Sequence, residues 1–404
     1  MPHTTKNGNP GLLVNFISPP GWTFAPGDTV IGTVVRHSCI VSPEATVTIA
    51  LIGRVKTKIH KSSGNSSAQF RERKQLFGPP TTSQVLCRGP LHLPPKEERS
   101  GDNDLLSWPF SITIPTQSKE EVGKANRTLP GTFYSSNLDS LAPSEGFVEY
   151  YLEAQLRYNR RGSFEILKST CPITLRRFPG TSLLSYNMKK HTVDRTFCSP
   201  RLLPGMENAD LTMKQKAQKF FGSSKVPELH YKAEMSWPCS IQLDNPSHFP
   251  FILNIIPQQE KSCAGIRGVG HEIRLTSIRM CIKGKTTVTA PGKFSKHSFY
   301  HDNQSSRYDL QIGRVLKDLE SPIIFSSEKE NKPVNFGNLF QLVLRSDGLT
   351  AGKRRLSKIS DLYPSFSITG ISHSHWLDMD VILSVVGETH TIQLRSALKI
   401  LPPG

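Results

Sequence analysis

The clearest signal in the chain is an alternation of apolar and polar positions with a period of two. From Val47 to Ile59 the odd positions run Val47, Ile49, Leu51, Gly53, Val55, Thr57 and Ile59. The even positions run Thr48, Ala50, Ile52, Arg54, Lys56, Lys58 and His60. Successive side chains of a strand point to opposite faces, so the odd set predicts a core face. The even set turns basic after Gly53, where a long strand is expected to bend. Val148, Tyr150, Leu152, Ala154 and Leu156 alternate in the same way with Glu149, Tyr151, Glu153, Gln155 and Arg157, and Phe110, Ile112 and Ile114 follow Trp108-Pro109. Thr29 to Arg36 is apolar on both faces, as a central strand would be. It is launched by Ala25-Pro26-Gly27-Asp28, with Pro and Gly where a type II turn needs them, because the third residue must hold a positive φ.

The second half repeats this style without a sequence repeat. Strands are predicted over Tyr231 to Trp237, Phe251 to Ile256, Ile273 to Ile282, Leu339 to Leu344, Ser365 to Ile371, Trp376 to Val386 and Thr391 to Leu401. In Ile273 to Ile282 the apolar phase switches between Leu275 and Ile278, which predicts a β-bulge. One helix is predicted, near 211–221, where Met213, Ala217, Phe220 and Phe221 share a face, with Asp210 as its cap and Gly222 as its stop. It is expected to pack across the two halves. Polar loops are expected over Lys61 to Ser107, Thr116 to Gly146 and Phe178 to Asp210. Many short strands, turn signals and one helix predict an all-β chain of two tandem β-sandwich domains. The divisions are 1–180, a linker 181–226 with the helix, and 227–404.

Composition narrows the picture. Hydrophobic residues make up 36% and charged residues 21%, enough apolar material for a core, and 30 prolines disfavour long helices. The net charge of +17 favours acidic partners. Seven cysteines, widely spread and without a C-x-x-C, predict reduced thiols, buried as small hydrophobes, in a cytosolic chain rather than a disulfide framework. No uncharged apolar run reaches the ~18 residues of a membrane helix, and the polar N-terminus does not read as a signal peptide.

In order along the chain, Trp22-Thr-Phe-Ala-Pro-Gly-Asp-Thr-Val-Ile-Gly-Thr-Val-Val35, Val47-Thr-Ile-Ala-Leu-Ile-Gly53, Trp108-Pro-Phe-Ser-Ile-Thr-Ile-Pro115, and Leu129-Pro130 followed by Val148-Glu-Tyr-Tyr-Leu-Glu-Ala-Gln-Leu156 resemble landmarks of the arrestin family, in its α-arrestin-type and fungal arrestin-like form. Pro364-Ser-Phe-Ser-Ile-Thr-Gly-Ile371 and Trp376 to Gly387 resemble the late C-terminal domain. The resemblance implies two immunoglobulin-like sandwiches, no enzyme chemistry and no cofactor. It implies a cytoplasmic adaptor, recruited to the plasma membrane or endosome, that binds the cytoplasmic tails of membrane transporters or receptors. Many α-arrestin-type proteins recruit a WW-domain ubiquitin ligase through Pro-Pro-x-Tyr. Here Pro19-Pro20-Gly-Trp, Pro79-Pro80-Thr-Thr, Pro94-Pro95-Lys-Glu and Pro402-Pro403-Gly404 all lack the tyrosine, so ligase recruitment would need another contact. The family also places an arginine from a strand closing the first domain in a buried ionic cluster between the domains, and Arg176, beside Arg177, lies near that place.

The expected contact for an acidic tail or anionic lipid is the line Arg54, Lys56, Lys58 and His60, joined by Arg176 and Arg177. Alternate residues of a strand lie ~6.6 Å apart on one face, so these charges form a row. Segment 51–100 carries ten Lys/Arg against three Asp/Glu. Catalytic motifs fail on spacing. His271-Glu272-Ile-Arg-Leu275 lacks the second histidine of a zinc protease, Gly284-Lys285-Thr286 lacks the upstream glycine of a P-loop, and Gly370-Ile-Ser372-His-Ser374 lacks the second glycine of a nucleophile elbow. His373 and His375 are read as a solvated pair at a loop edge. Two other readings compete: a retromer-like sorting-complex subunit, and a nucleic-acid-binding protein. The latter is disfavoured because no zinc finger, RNP aromatic pair or basic helix is present.

Overall fold

The structure, a computed structural model, describes residues 3–7, 11–19, 21–63, 66–95, 105–118, 128–137, 143–176, 183–223, 225–291, 298–359 and 362–403, with the backbone alone for 62–63, 66 and 298–305. Strands account for 60% of the chain and helices for 7%, so the molecule is all-β, in several largely antiparallel sheets. Contacts divide it into two units. One comprises Met1–Phe178, Lys285–Gln304 and Phe366–His373; the other comprises Pro179–Gly284, Ser305–Ser365 and Ser374–Gly404. The linear division expected from the sequence therefore misses two late segments that group with the first unit. Residues 181–226 group with the second unit rather than standing as a linker.

The first unit holds β1 (Leu13–Phe16), β2 (Thr29–Arg36), β3 (Ile40–Ser63), β4 (Ser66–Phe77), β5 (Ser83–Leu93), β6 (Leu106–Thr113), β7 (Phe133–Asn137), β8 (Ser144–Arg160) and β9 (Ser163–Ile173). The long strands β3 and β8 pair from Ala45–Tyr158 to Ile59–Ser144 and form its spine. On its other edge β3 pairs first with β5 and then with β4, while β8 pairs with β9 and β7. Gly53 marks the changeover. The β3–β4 register shifts between Gly53 and Arg54, and a Cβ at Gly53 would stand 2.7 Å from the Phe77 ring and 2.8 Å from the Tyr150 ring. The predicted bend is thus a bulge at the one residue small enough to sit between two aromatic side chains.

Strand β2 lies between β1 and β6, and its turn closes as expected: Asp28 N donates to Ala25 O at 3.0 Å, and Gly27 has φ 95°. The central position holds, although Ile31 remains exposed. The late segments complete this unit's core: Val288 and Ala290 bury Ile59, and the Phe366 ring meets that of Phe133 edge-on at 4.9 Å.

Three expected loops contain strands. Residues 61–107 hold β4 and β5, and 116–146 hold β7 and the start of β8. Residues 178–210 hold β10 (Met188–Cys198), fully paired with β11 (Glu228–Pro238). Strands β4 and β10 carry polar residues on both faces, so alternation is faint and backbone pairing with a neighbour decides their structure, whereas β5 turns Leu91 and Leu93 inward, away from the exposed Arg88 and His92.

The second unit continues with β12 (Ser240–Gln242), β13 (Ile252–Pro257), β14 (Glu272–Pro291), β15 (Ser298–Asp309), β16 (Ile324–Ser326), β17 (Val334–Asn335), β18 (Leu342–Arg345), β19 (Gly348–Ala351), β20 (Arg354–Lys358), β21 (Phe366–Ile368), β22 (Ile371–Val385) and β23 (Glu388–Leu401); the late end of β14, the start of β15 and residues 366–373 belong to the first. The buried phase of β14 switches between Leu275 and Ile278, where the sequence changes phase. Its core gathers Tyr231, Trp237, Phe251, Phe336, Met379 and Leu383 among others.

Three helices occur among the described residues: α1 (Met213–Phe220), α2 (Ile312–Lys317) and α3 (Phe336–Leu339). The last two are too short to show a helical period, and α3 occupies the start of the strand expected at Leu339. Helix α1 is where the sequence places it, but its cap is Thr212, not Asp210. Thr212 Oγ1 accepts from Gln215 N, and the Gln215 side chain accepts from Thr212 N at 2.8 Å, a reciprocal capping box. It buries none of its residues, so it is not the packed helix the sequence suggested.

Candidate functional site

Strand β3 does align Arg54, Lys56, Lys58 and His60 on one face, but the row is not open along its length. Arg54 and Lys56 are 9% and 8% exposed. The register sets Glu149 of β8 directly across from Arg54. Glu149 Oε1 accepts from Arg54 Nε and lies 2.8 Å from Lys56 Nζ. Its other oxygen accepts from Thr4 N at 2.9 Å, and Arg54 Nη2 donates to Thr4 Oγ1 at 2.7 Å. The Arg54 guanidinium lies over the Tyr151 ring and the Lys56 ammonium over that of Phe147, at 4.6 and 5.2 Å from the ring centres. Burial alone would push the Glu149 carboxyl up. The Lys56 hydrogen bond, the Thr4 amide and Arg54 together outweigh it and hold the group below the usual carboxylate range. Half of the expected contact row is therefore an internal ionic cluster covered by residues near the N-terminus.

The outer half of the same face stays accessible and is broader than the sequence indicated. Lys58, half-buried, stands across from Glu145 on β8 and from Arg71 on β4, while Arg73 stands across from Lys56. Arg71 and Arg73 are exposed. His60 is half-buried, with Gln69 Nε2 2.7 Å from its Nε2. Burial, followed by the Lys58 charge, pushes its imidazole pKa down. Arg71 and Arg73 were hidden in an expected loop, although Gln69, Arg71, Arg73 and Gln75 alternate with Phe70, Glu72, Lys74 and Leu76. Like charges directly opposite one another across two strands are unfavourable. Lys58 with the exposed Arg71 and Arg73 forms the open basic part of the face, Glu145 standing across from Lys58 and Glu149 already pairing with Lys56.

Arg176 is exposed and joins the fold through its amide, which donates to Phe24 O at 2.9 Å. It is exposed rather than buried among charges; the buried ionic cluster of this unit is that of Arg54, Lys56 and Glu149. Arg177 lies outside the described residues. His373 and His375 are buried rather than solvated, because β22 continues through them as a regular strand. Thr286 Oγ1 is 3.0 Å from His373 Nδ1, and Ser365 Oγ is 2.9 Å from His375 Nδ1. Burial lowers the His373 pKa to about 4. All seven cysteines are free; Cys171 and Cys281 are buried, but Cys39 and Cys263 are exposed, contrary to the expectation of burial. Gly284-Lys285-Thr286 lies within β14, an extended segment unlike a phosphate loop. Among the described residues no three His, Cys, Asp or Glu side chains gather as a metal site, and no helix is long and apolar enough to cross a membrane.

No family model matches the chain, and no curated protein matches it.

Proposed function

We propose that the chain is a non-enzymatic, arrestin-like adaptor of two tandem immunoglobulin-like sandwiches, recruited from the cytoplasm to membranes in endocytic trafficking or signalling. Its ligands are acidic or phosphorylated cytoplasmic segments of membrane proteins. The observation that carries the reading is the cross-strand alignment of Lys58 with Arg71, with the exposed Arg73 beside them, on a face backed by the ionic cluster of Arg54, Lys56 and Glu149. A planar guanidinium binds carboxylate or phosphate oxygens two at a time, and the preset row lowers the ordering cost of binding. Further support comes from the landmark segments of the first half, which fall on β2, β3, β6 and β8. Tyr150 Oη donates to Pro130 O at 2.7 Å, tying two of those segments together.

The test is fluorescence anisotropy with a peptide rich in glutamate and phosphoserine, beside its unphosphorylated counterpart. The native chain should bind the phosphorylated peptide, and Lys58→Glu with Arg71→Glu and Arg73→Glu should weaken it more than tenfold. Equal binding by the native chain and this variant would remove the basic face from the proposal. Proximity labelling in the native cell then checks the cargo class: transporters and receptors are expected among the neighbours, and an exclusive set of coat subunits would favour the sorting-complex reading.

A further inference from the structure

Helix α1 is mounted inside out. An α-helix turns about 100° per residue, so Met213, Ala217, Phe220 and Phe221 form one apolar stripe, with Lys214 and Lys216 on its two borders. In a surface helix of a globular domain that stripe faces the core. Here Gln215, Gln218 and Lys219, on the polar back, are the half-buried residues. Met213, Phe220 and Phe221 are 82%, 84% and 80% exposed. The mounting has identifiable bonds. Lys219 Nζ pairs with Glu388 Oε2, and the other oxygen of Glu388 accepts from Ser199 Oγ at 3.1 Å. The capping box fixes the first turn, and Gly222, with φ 60°, ends the helix. Phe220 and Phe221 meet edge-to-face at 5.3 Å and present a single aromatic tip.

We infer that α1 is a docking helix for an anionic lipid surface. From Leu211 to Lys225 the chain carries four lysines and no acidic residue. With its polar back fastened to its own unit, α1 cannot sink into a groove that grips a helix from several sides. A plane meets its outward stripe best. At such a plane Phe220, Phe221 and Met213 enter the acyl boundary while Lys214 and Lys216 reach lipid phosphates on either side, the arrangement of an interfacial amphipathic helix. Each lysine near an anionic leaflet strengthens binding roughly fivefold, so the bordering pair contributes roughly thirtyfold. This surface is independent of the β3–β4 face.

The experiment is cosedimentation of the full chain with vesicles of equal parts phosphatidylcholine and phosphatidylserine, beside vesicles of phosphatidylcholine alone. The native chain should bind the mixed vesicles at least tenfold better. Phe220→Ser with Phe221→Ser, and separately Lys214→Glu with Lys216→Glu, should each cost at least tenfold with unchanged thermal unfolding, since all four side chains are exposed. Phe220→Trp should show blue-shifted emission on the mixed vesicles only. Failure of the native chain to bind them, or binding that survives both helix variants, would overturn the proposal. Loss on substituting Arg71 and Arg73 alone, with the helix variants unaffected, would overturn it in favour of the other face.

Discussion

Lys56 Nζ stands 2.8 Å from Glu149 Oε1 in a place where neither side chain is more than 9% exposed. Removing one partner of such a pair leaves the other charge buried without compensation, which costs roughly 3–5 kcal/mol. Glu149→Gln should therefore shift urea unfolding of the first unit by that order. The pH dependence has a definite sign. Glu149 is ionised in the fold below the pH at which it protonates in the unfolded chain. Its contribution is complete above the ordinary carboxylate pKa of about 4.3 and fades as the pH falls through its lower folded value. Unfolding midpoints of the native chain should drop more steeply over that interval than those of the variant.

His373 acts at higher pH. Its folded pKa of about 4 lies below the unfolded 6.5. Its contribution is fully present above pH 6.5 and is lost as the pH falls from there towards 4, by at most about 3 kcal/mol. Stability measured at pH 7.5 and at pH 4.5 should differ less in His373→Asn than in the native chain.

A methyl group at Gly53 would meet the Phe77 and Tyr150 rings at under 3 Å. Overpacking of this kind costs about 1–3 kcal/mol. Gly53→Ala should lower the thermal midpoint by several degrees, and pairing Gly53→Ala with Phe77→Leu should recover part of the loss.

The like-charge pairs on β3 and β4 predict opposed effects on stability and binding. Arg73→Gln relieves its repulsion with Lys56 and should raise stability by about 0.2–1 kcal/mol. The same change should weaken binding of the acidic phosphopeptide, so calorimetric unfolding and anisotropy should move in opposite directions.

How much of this was legible depends on what each strand buries. Strands β3 and β8 announced themselves because one face of each is almost wholly apolar. Strands β4 and β10 did not, because their side chains are largely polar on both sides and a neighbour's backbone holds them; β5 buries only Leu91 and Leu93, at its far end. The basic row was visible as spacing, but its division into a sealed half and an open half was not. That division depends on a register that sets Glu149 across from Arg54, and on Thr4 bonding to both members of the pair. The apolar stripe of α1 was equally plain at 3.6-residue spacing. Spacing says that a stripe exists, whereas the direction it faces is settled by Lys219 and Glu388, separated by most of the C-terminal half of the sequence.

The first unit closes only with Val288, Ala290 and Phe366, which cover Ile59 and Phe133. The segment carrying Phe366 must therefore be made before that unit can finish folding, more than three hundred residues after its first strand. A gene cut at the middle would release a leading fragment with those contacts bare, a natural client for chaperones rather than a free-standing domain.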